Sequence, residues 1–102
     1  MRVAFVPDLL DRSRLNAVGD LIFVTMPAAI DSIAGLGPGD VVAVDLSREG
    51  ALDAAGRAAS RGATVYGFAS HVDADTLNAA KAEGVIAMAR SAFFGRVGEL
   101  FA

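Results

Sequence analysis

Apolar residues gather in five short runs, separated by stretches in which they recur every three or four positions. The runs read Arg2 to Val6, Leu21 to Thr25, Val41 to Asp45, Thr64 to Ala69 and Val85 to Met88. They are nearly continuous rather than alternating, the pattern of strands buried on both faces. Between them the period lengthens to that of a helix. Ile30, Ile33 and Ala34 follow Pro27, and Ala51, Leu52, Ala55, Ala58 and Ala59 run up to Gly62. Leu77, Ala80 and Lys81 follow Asp73 and stop near Gly84, while Phe94, Val97 and Phe101 follow Ser91. Asp73 and Ser91 are the expected N-caps, and Pro27 is a first-turn residue. Gly37-Pro38-Gly39-Asp40 is a turn into the third strand. A first helix is expected from Leu9 to about Val18. Strands alternating with helices imply a parallel sheet with right-handed crossovers and helices on both faces. The expected fold is therefore α/β, a doubly wound five-stranded sheet in a three-layer α/β/α domain covering residues 1–102.

Composition narrows the reading. A chain of 102 residues supports one core, and an apolar share of 54% excludes a disordered segment. The net charge is −3, and the nine basic residues, all arginine except Lys81, are scattered singly. No clustered basic surface for nucleic acid is expected. The absence of cysteine fits a reducing cytoplasm. No apolar run approaches the length of a membrane span, and the start runs straight into a strand and then Pro7 and Asp8. The expectation is a cytoplasmic protein with no membrane partner and, with its last helix at the chain's end, no output domain.

Two carboxylates carry the chemical signal. Asp8 closes the first apolar run and Asp45 closes the third. Open parallel sheets form their sites outside the carboxyl ends of the strands, where strand order reverses. If strands one and three are neighbours there, Asp8 and Asp45 face each other across the crevice.

Five βα units in about a hundred residues fit the flavodoxin-like order 2-1-3-4-5. Within that class the chain resembles, over essentially its whole length, the receiver domain of bacterial response regulators. The stretches Gly67-Phe68-Ala69-Ser70-His71-Val72-Asp73 and Arg90-Ser91-Ala92-Phe93-Phe94 are also similar to small stand-alone receiver-like bacterial proteins. The resemblance implies that Asp45 is the phosphoacceptor for a histidine kinase and that Asp8 and Asp45 ligate Mg2+. It also implies that Ala69 or Ser70, together with Arg90, senses the added charge. The sequence departs from the receiver pattern at two places. Pro7 replaces the first of two acids, and Arg90-Ser91 replaces Lys-Pro. Losing a carboxylate weakens Mg2+ binding and neutralisation of a phosphoryl group. Arginine keeps the charge but substitutes a planar fork for a compact ammonium. The site is expected to be degenerate, binding Mg2+ weakly or not at all.

Each candidate has a plainer alternative. Asp45 is either a phosphoacceptor, an unphosphorylated anionic site, or a strand-end carboxylate bonded to loop amides and Arg48. Asp8 either binds metal or starts the turn into the first helix. Asp11 is a substitute acid only if it turns inward, and it is expected to face solvent. Without a cation swung in from Arg48 or Arg90, Asp8 and Asp45 repel each other, so Asp45→Asn is expected to stabilise by about 1 kcal/mol. Ser70-His71 lacks the elbow motif of a catalytic serine, and His71 reads as an exposed loop residue. Gly35-Leu36-Gly37-Pro38-Gly39 follows a helix instead of a strand, the wrong order for a dinucleotide loop. His71-Val72-Asp73-Ala74-Asp75 contains metal-ligand types but only one histidine. Phe93 and Phe94 are adjacent and cannot both point inward. The receiver resemblance implies a face there for self-association, as a homodimer, or for a partner; the plainer alternative is a partly exposed phenylalanine.

Three functions compete. The first is a stand-alone receiver-like signalling or protein-interaction module with a degenerate phosphoacceptor site, contacting a histidine kinase or a downstream effector. The second is a phosphorylation-competent single-domain response regulator. The third is a small-molecule-binding flavodoxin-like protein or an enzyme, which the glycine-free first βα turn disfavours.

Overall fold

In the computed structural model, which describes residues 1–102, five parallel strands form one sheet in the order β2-β1-β3-β4-β5. The strands are β1 (Arg2–Phe5), β2 (Leu21–Phe23), β3 (Val41–Asp45), β4 (Thr64–Ala69) and β5 (Ile86–Ala89). The helices are α1 (Leu9–Ser13), α2 (Ala28–Asp31), α3 (Ala51–Ser60), α4 (Ala74–Ala82), α5 (Arg90–Gly95) and α6 (Val97–Leu100). This is the flavodoxin-like arrangement expected from the strand pattern. β1 pairs with β3 so that Phe5 lies beside Val44, which brings the chain beyond β1 next to Asp45.

Strand side chains divide between two core layers. Val3, Phe5, Val42 and Val44 pack on one side with Ile30, Leu46 and the alanines of α3. Ala4, Val6 and Ala43 face the other side, with Leu15, Phe68 and Phe93. Period-two alternation thus sends apolar groups in both directions, which is why these strands read as unbroken apolar runs. Small residues set the close approaches. Ala51, Ala54, Ala55 and Ala58 are buried along α3. On the central strand β4, a β-carbon at Gly67 would stand 2.7 Å from the Leu46 Cδ1, so only glycine admits that leucine.

The local signals hold in several places. Asp73 caps α4 by accepting from the Thr76 amide. Gly62 and Gly84 follow α3 and α4 with φ of 93° and 84°, the left-handed geometry that ends a helix at glycine. Three expectations change. The first helix stops at Ser13 instead of reaching Val18, because Leu15, Asn16 and Val18 donate to carbonyls three residues back and tighten the chain into turns. β5 extends to Ala89, paired with Ala69, so α5 starts at once from Ala89 and Ser91 lies inside the first turn rather than capping it. The last helix is divided at Arg96, and its second part seats Val97 and Leu100 in the core.

Arg57 of α3 holds Asp31 of α2 through two hydrogen bonds of 2.9 and 3.0 Å. This bonding lowers the Asp31 carboxyl below its ordinary value, with burial opposing it. The contribution is full above the ordinary carboxylate range, near pH 4, and declines as pH falls through the lower folded value. Arg57→Gln is therefore expected to destabilise the fold slightly at pH 7, as loss of an exposed pair does. Urea unfolding at pH 7 and at pH 2.5 is the check; the difference between variant and parent is smaller at the lower pH.

Candidate functional site

The carboxyl ends of β1, β3 and β5 bring three acids and two arginines together. β3 ends at Asp45, whose backbone continues into Leu46 and Ser47. Only 3% of Asp45 is exposed. Its Oδ1 accepts from the Ser47 amide at 3.0 Å and from the Ser47 hydroxyl at 2.6 Å. Its Oδ2 lies 3.5 Å from the Nε of half-exposed Arg48. These are the loop-amide and Arg48 contacts of the plainer reading of Asp45.

Asp8 begins the turn into α1. Its Oδ1 accepts from the amides of Leu10 and Asp11 at 2.9 and 3.0 Å, a helix N-cap. Asp11 departs from expectation: it is 3% exposed, not turned to solvent. The cap sets the first turn of α1 so that Asp11 points back over the sheet, where Arg90 at the start of α5 meets it. The guanidinium donates to Asp11 through both terminal nitrogens, at 2.8 and 2.6 Å, a bidentate fork. Phe68 and Phe94 lie beneath it, with ring centroids 5.5 and 5.4 Å from the guanidinium carbon. The bonds to Asp11 hold the Arg90 guanidinium above its usual value; burial opposes this, and the charges of Asp45 and Asp8 reinforce it.

Arg90 thus does swing in as a fixed cation, on Asp11, and Arg48 stands at Asp45. The cation-free crevice on which the expected stabilisation by Asp45→Asn depended is therefore not found. Three carboxylates against two guanidiniums leave the crevice nearly balanced. The donor set also suits Mg2+ poorly. Both oxygens of Asp11 are bonded by Arg90, Asp8 is engaged by two amides, and Asp45 by Ser47. Pro7 offers no side-chain oxygen, and no group of three or more His, Cys, Asp or Glu side chains is placed to hold a metal ion.

β4 ends at Ala69, buried, so Ser70 is the first loop residue and is exposed. Its hydroxyl accepts from the Val72 amide at 3.4 Å, and no hydrogen bond joins it to Asp45. His71 is exposed beside it. Phe93 is fully buried and stacked on Phe68 at 4.7 Å between centroids. Phe94 is half-buried, edge-on to Phe68, and covered by the Arg14 guanidinium at 4.5 Å. The adjacent aromatics therefore form no open aromatic patch, since arginines cover the outward one.

Sequence reasoning passed over Ser47 and the rim of the crevice. Leu9 (77%), Leu10 (78%), Met26 (57%) and Val72 (77%) are exposed in the segments following β1, β2 and β4. The signal was available: Leu9-Leu10 directly follows the capping Asp8, and a short amphipathic helix cannot bury two consecutive leucines. The chain matches no protein-family model, no curated protein and no solved structure.

Two stability tests follow from the ion pairs. Arg90→Met leaves a buried carboxylate unpaired, whereas Asp11→Asn leaves an arginine that turns toward water. The first is expected to cost about 3 kcal/mol and the second about 1 to 2 kcal/mol, read as urea midpoints at pH 7. Asp45→Asn removes charge-assisted bonds from Ser47 and strands Arg48 only at the surface. A loss of about 1 kcal/mol is expected, measured as a lowered melting temperature.

Proposed function

We propose that this chain is a receiver-like protein-interaction module in which the phosphoacceptor site has become a fixed structural ion-pair network. The observation that carries this reading is the apolar rim of Leu9, Leu10, Met26 and Val72, exposed on segments at the sheet edge that holds the charged crevice. Exposed large apolar side chains collected at one edge are what a protein-binding surface presents. The crevice itself is poorly arranged for group transfer. Asp45 is buried, its Oδ1 is held by two donors, and its Oδ2 faces the Arg48 guanidinium at 3.5 Å instead of an open approach. Its partner, a kinase or a downstream effector, is engaged by contact rather than by chemistry. A cytoplasmic setting belongs to the same reading and agrees with a chain that lacks cysteine.

The test has two arms. Incubation with a small phosphodonor and Mg2+ is expected to leave the intact mass unchanged. A gain of one phosphoryl group, lost in Asp45→Asn, would overturn the reading in favour of a working response regulator. In the second arm, Leu10→Glu with Val72→Glu is expected to leave the melting temperature nearly unchanged, since surface substitutions cost within about 0.5 kcal/mol. The same pair should abolish recovery of a specific partner by the tagged protein from its native host. Recovery unaffected by the double substitution would locate the interaction elsewhere and defeat the proposal.

A further inference from the structure

The opposite, amino-terminal edge of the sheet holds a second feature. A cleft of about 140 Å³ opens between the start of β1, the turn before β2, and α6, lined among others by Arg2, Val18, Gly19, Val97, Gly98 and Phe101. We propose that this cleft binds a small monocarboxylate with a branched or aromatic body, independently of the crevice at Asp45.

The charge argument rests on Arg2. Its Nη1 donates to the Gly19 carbonyl at 3.0 Å, which anchors one end of the guanidinium. None of the five ion pairs in the molecule includes Arg2; of the two acids next in sequence to lining residues, Glu99 is paired with Arg96 and Asp20 makes no ion pair. A guanidinium carries five N–H donors in a fixed fork, so anchoring one nitrogen leaves donors able to take a carboxylate. An arginine held against apolar walls without a counter-charge binds an anion more strongly than one in open water.

Shape and wall chemistry select the rest of the ligand. Val18 is half-buried, and Val97 and Phe101 are buried residues that also border the cleft. These surfaces suit a branched alkyl group or a ring. A water molecule takes about 30 Å³ of liquid, so the space corresponds to roughly four or five waters. Space of that size suits a body such as isobutyrate or benzoate, whereas most of a nucleotide would project beyond it into solvent. Gly19 and Gly98 keep the opening clear. Gly98 lines the cleft, and a β-carbon there would meet nothing within 4 Å, so the fold accepts a side chain at the cleft wall.

The experiment is a titration of the full ¹⁵N-labelled chain followed by amide NMR, with isobutyrate and benzoate as probes and isobutyramide and inorganic phosphate as controls. Saturable shifts are expected at Val18, Gly19, Val97 and Gly98 with a Kd of about 1 mM, the scale open to so few ligand atoms. Isobutyramide, without the charge, should bind about tenfold more weakly, and Arg2→Gln should weaken the carboxylates by a similar factor. Gly98→Val should abolish the shifts while the remaining spectrum stays native. Shifts that survive both substitutions, or that spread over unrelated surface, would overturn the proposal. So would phosphate binding as tightly as benzoate, which would mean that the apolar walls play no part. Because the readout lies at the opposite sheet edge, its failure leaves the rim and Asp45 tests untouched.

Discussion

A strand buried on both faces offers no side on which a charged group can rest. β1 and β3 are such strands, sending Val3, Phe5, Val42 and Val44 into one core layer and Ala4, Val6 and Ala43 into the other. Desolvating an unpaired carboxylate within either layer costs several kcal/mol, so acids are displaced to the strand ends. In a parallel sheet all carboxyl ends lie along one edge, and the acids that follow β1 and β3 are forced together there. The charged crevice is a direct consequence of the apolar sheet beneath it.

Concentrating negative charge at one edge creates a second requirement, a compensating cation. Here the chain supplies it from within. β5 runs to Ala89 and turns straight into α5, which places Arg90 over the edge, and the Asp8 cap sets α1 so that Asp11 faces it. The fork lies above Phe68 and Phe94, whose rings shield it and favour the cation. Arg48 adds a weaker, half-exposed contact to Asp45. With its cations covalently part of the fold, the crevice offsets most of its negative charge from within.

The same economy explains why apolar side chains appear on the outside of this edge. The segments joining strands to helices are short, and α1 and α2 contain only five and four residues. Helices so brief cannot turn every apolar residue toward the sheet. Leu9, Leu10 and Met26 remain in solvent around a crevice whose charges are satisfied. This edge, apolar at its rim and largely neutralised at its centre, is the surface on which the proposed contact function rests.

Much of this was legible in the chain. Unbroken apolar runs, glycines past the ends of α3 and α4, and Asp73 before α4 specify local structure through backbone geometry and burial, which depend on near neighbours. They determined the five strands and a parallel sheet, while the strand order, and with it Asp8 and Asp45 at one edge, followed from the flavodoxin-like class. What the sequence left open was which charges meet. Asp11 and Arg90 are 79 residues apart, and nothing local to either marks the other as its partner. Whether Asp11 faces water or the sheet depends on the one rotation of α1 set by the Asp8 cap. Whether Arg90 reaches it depends on β5 extending to Ala89. Side-chain pairing at a strand edge is decided by the relative placement of elements to within an ångström, and that placement is fixed only when both core layers close.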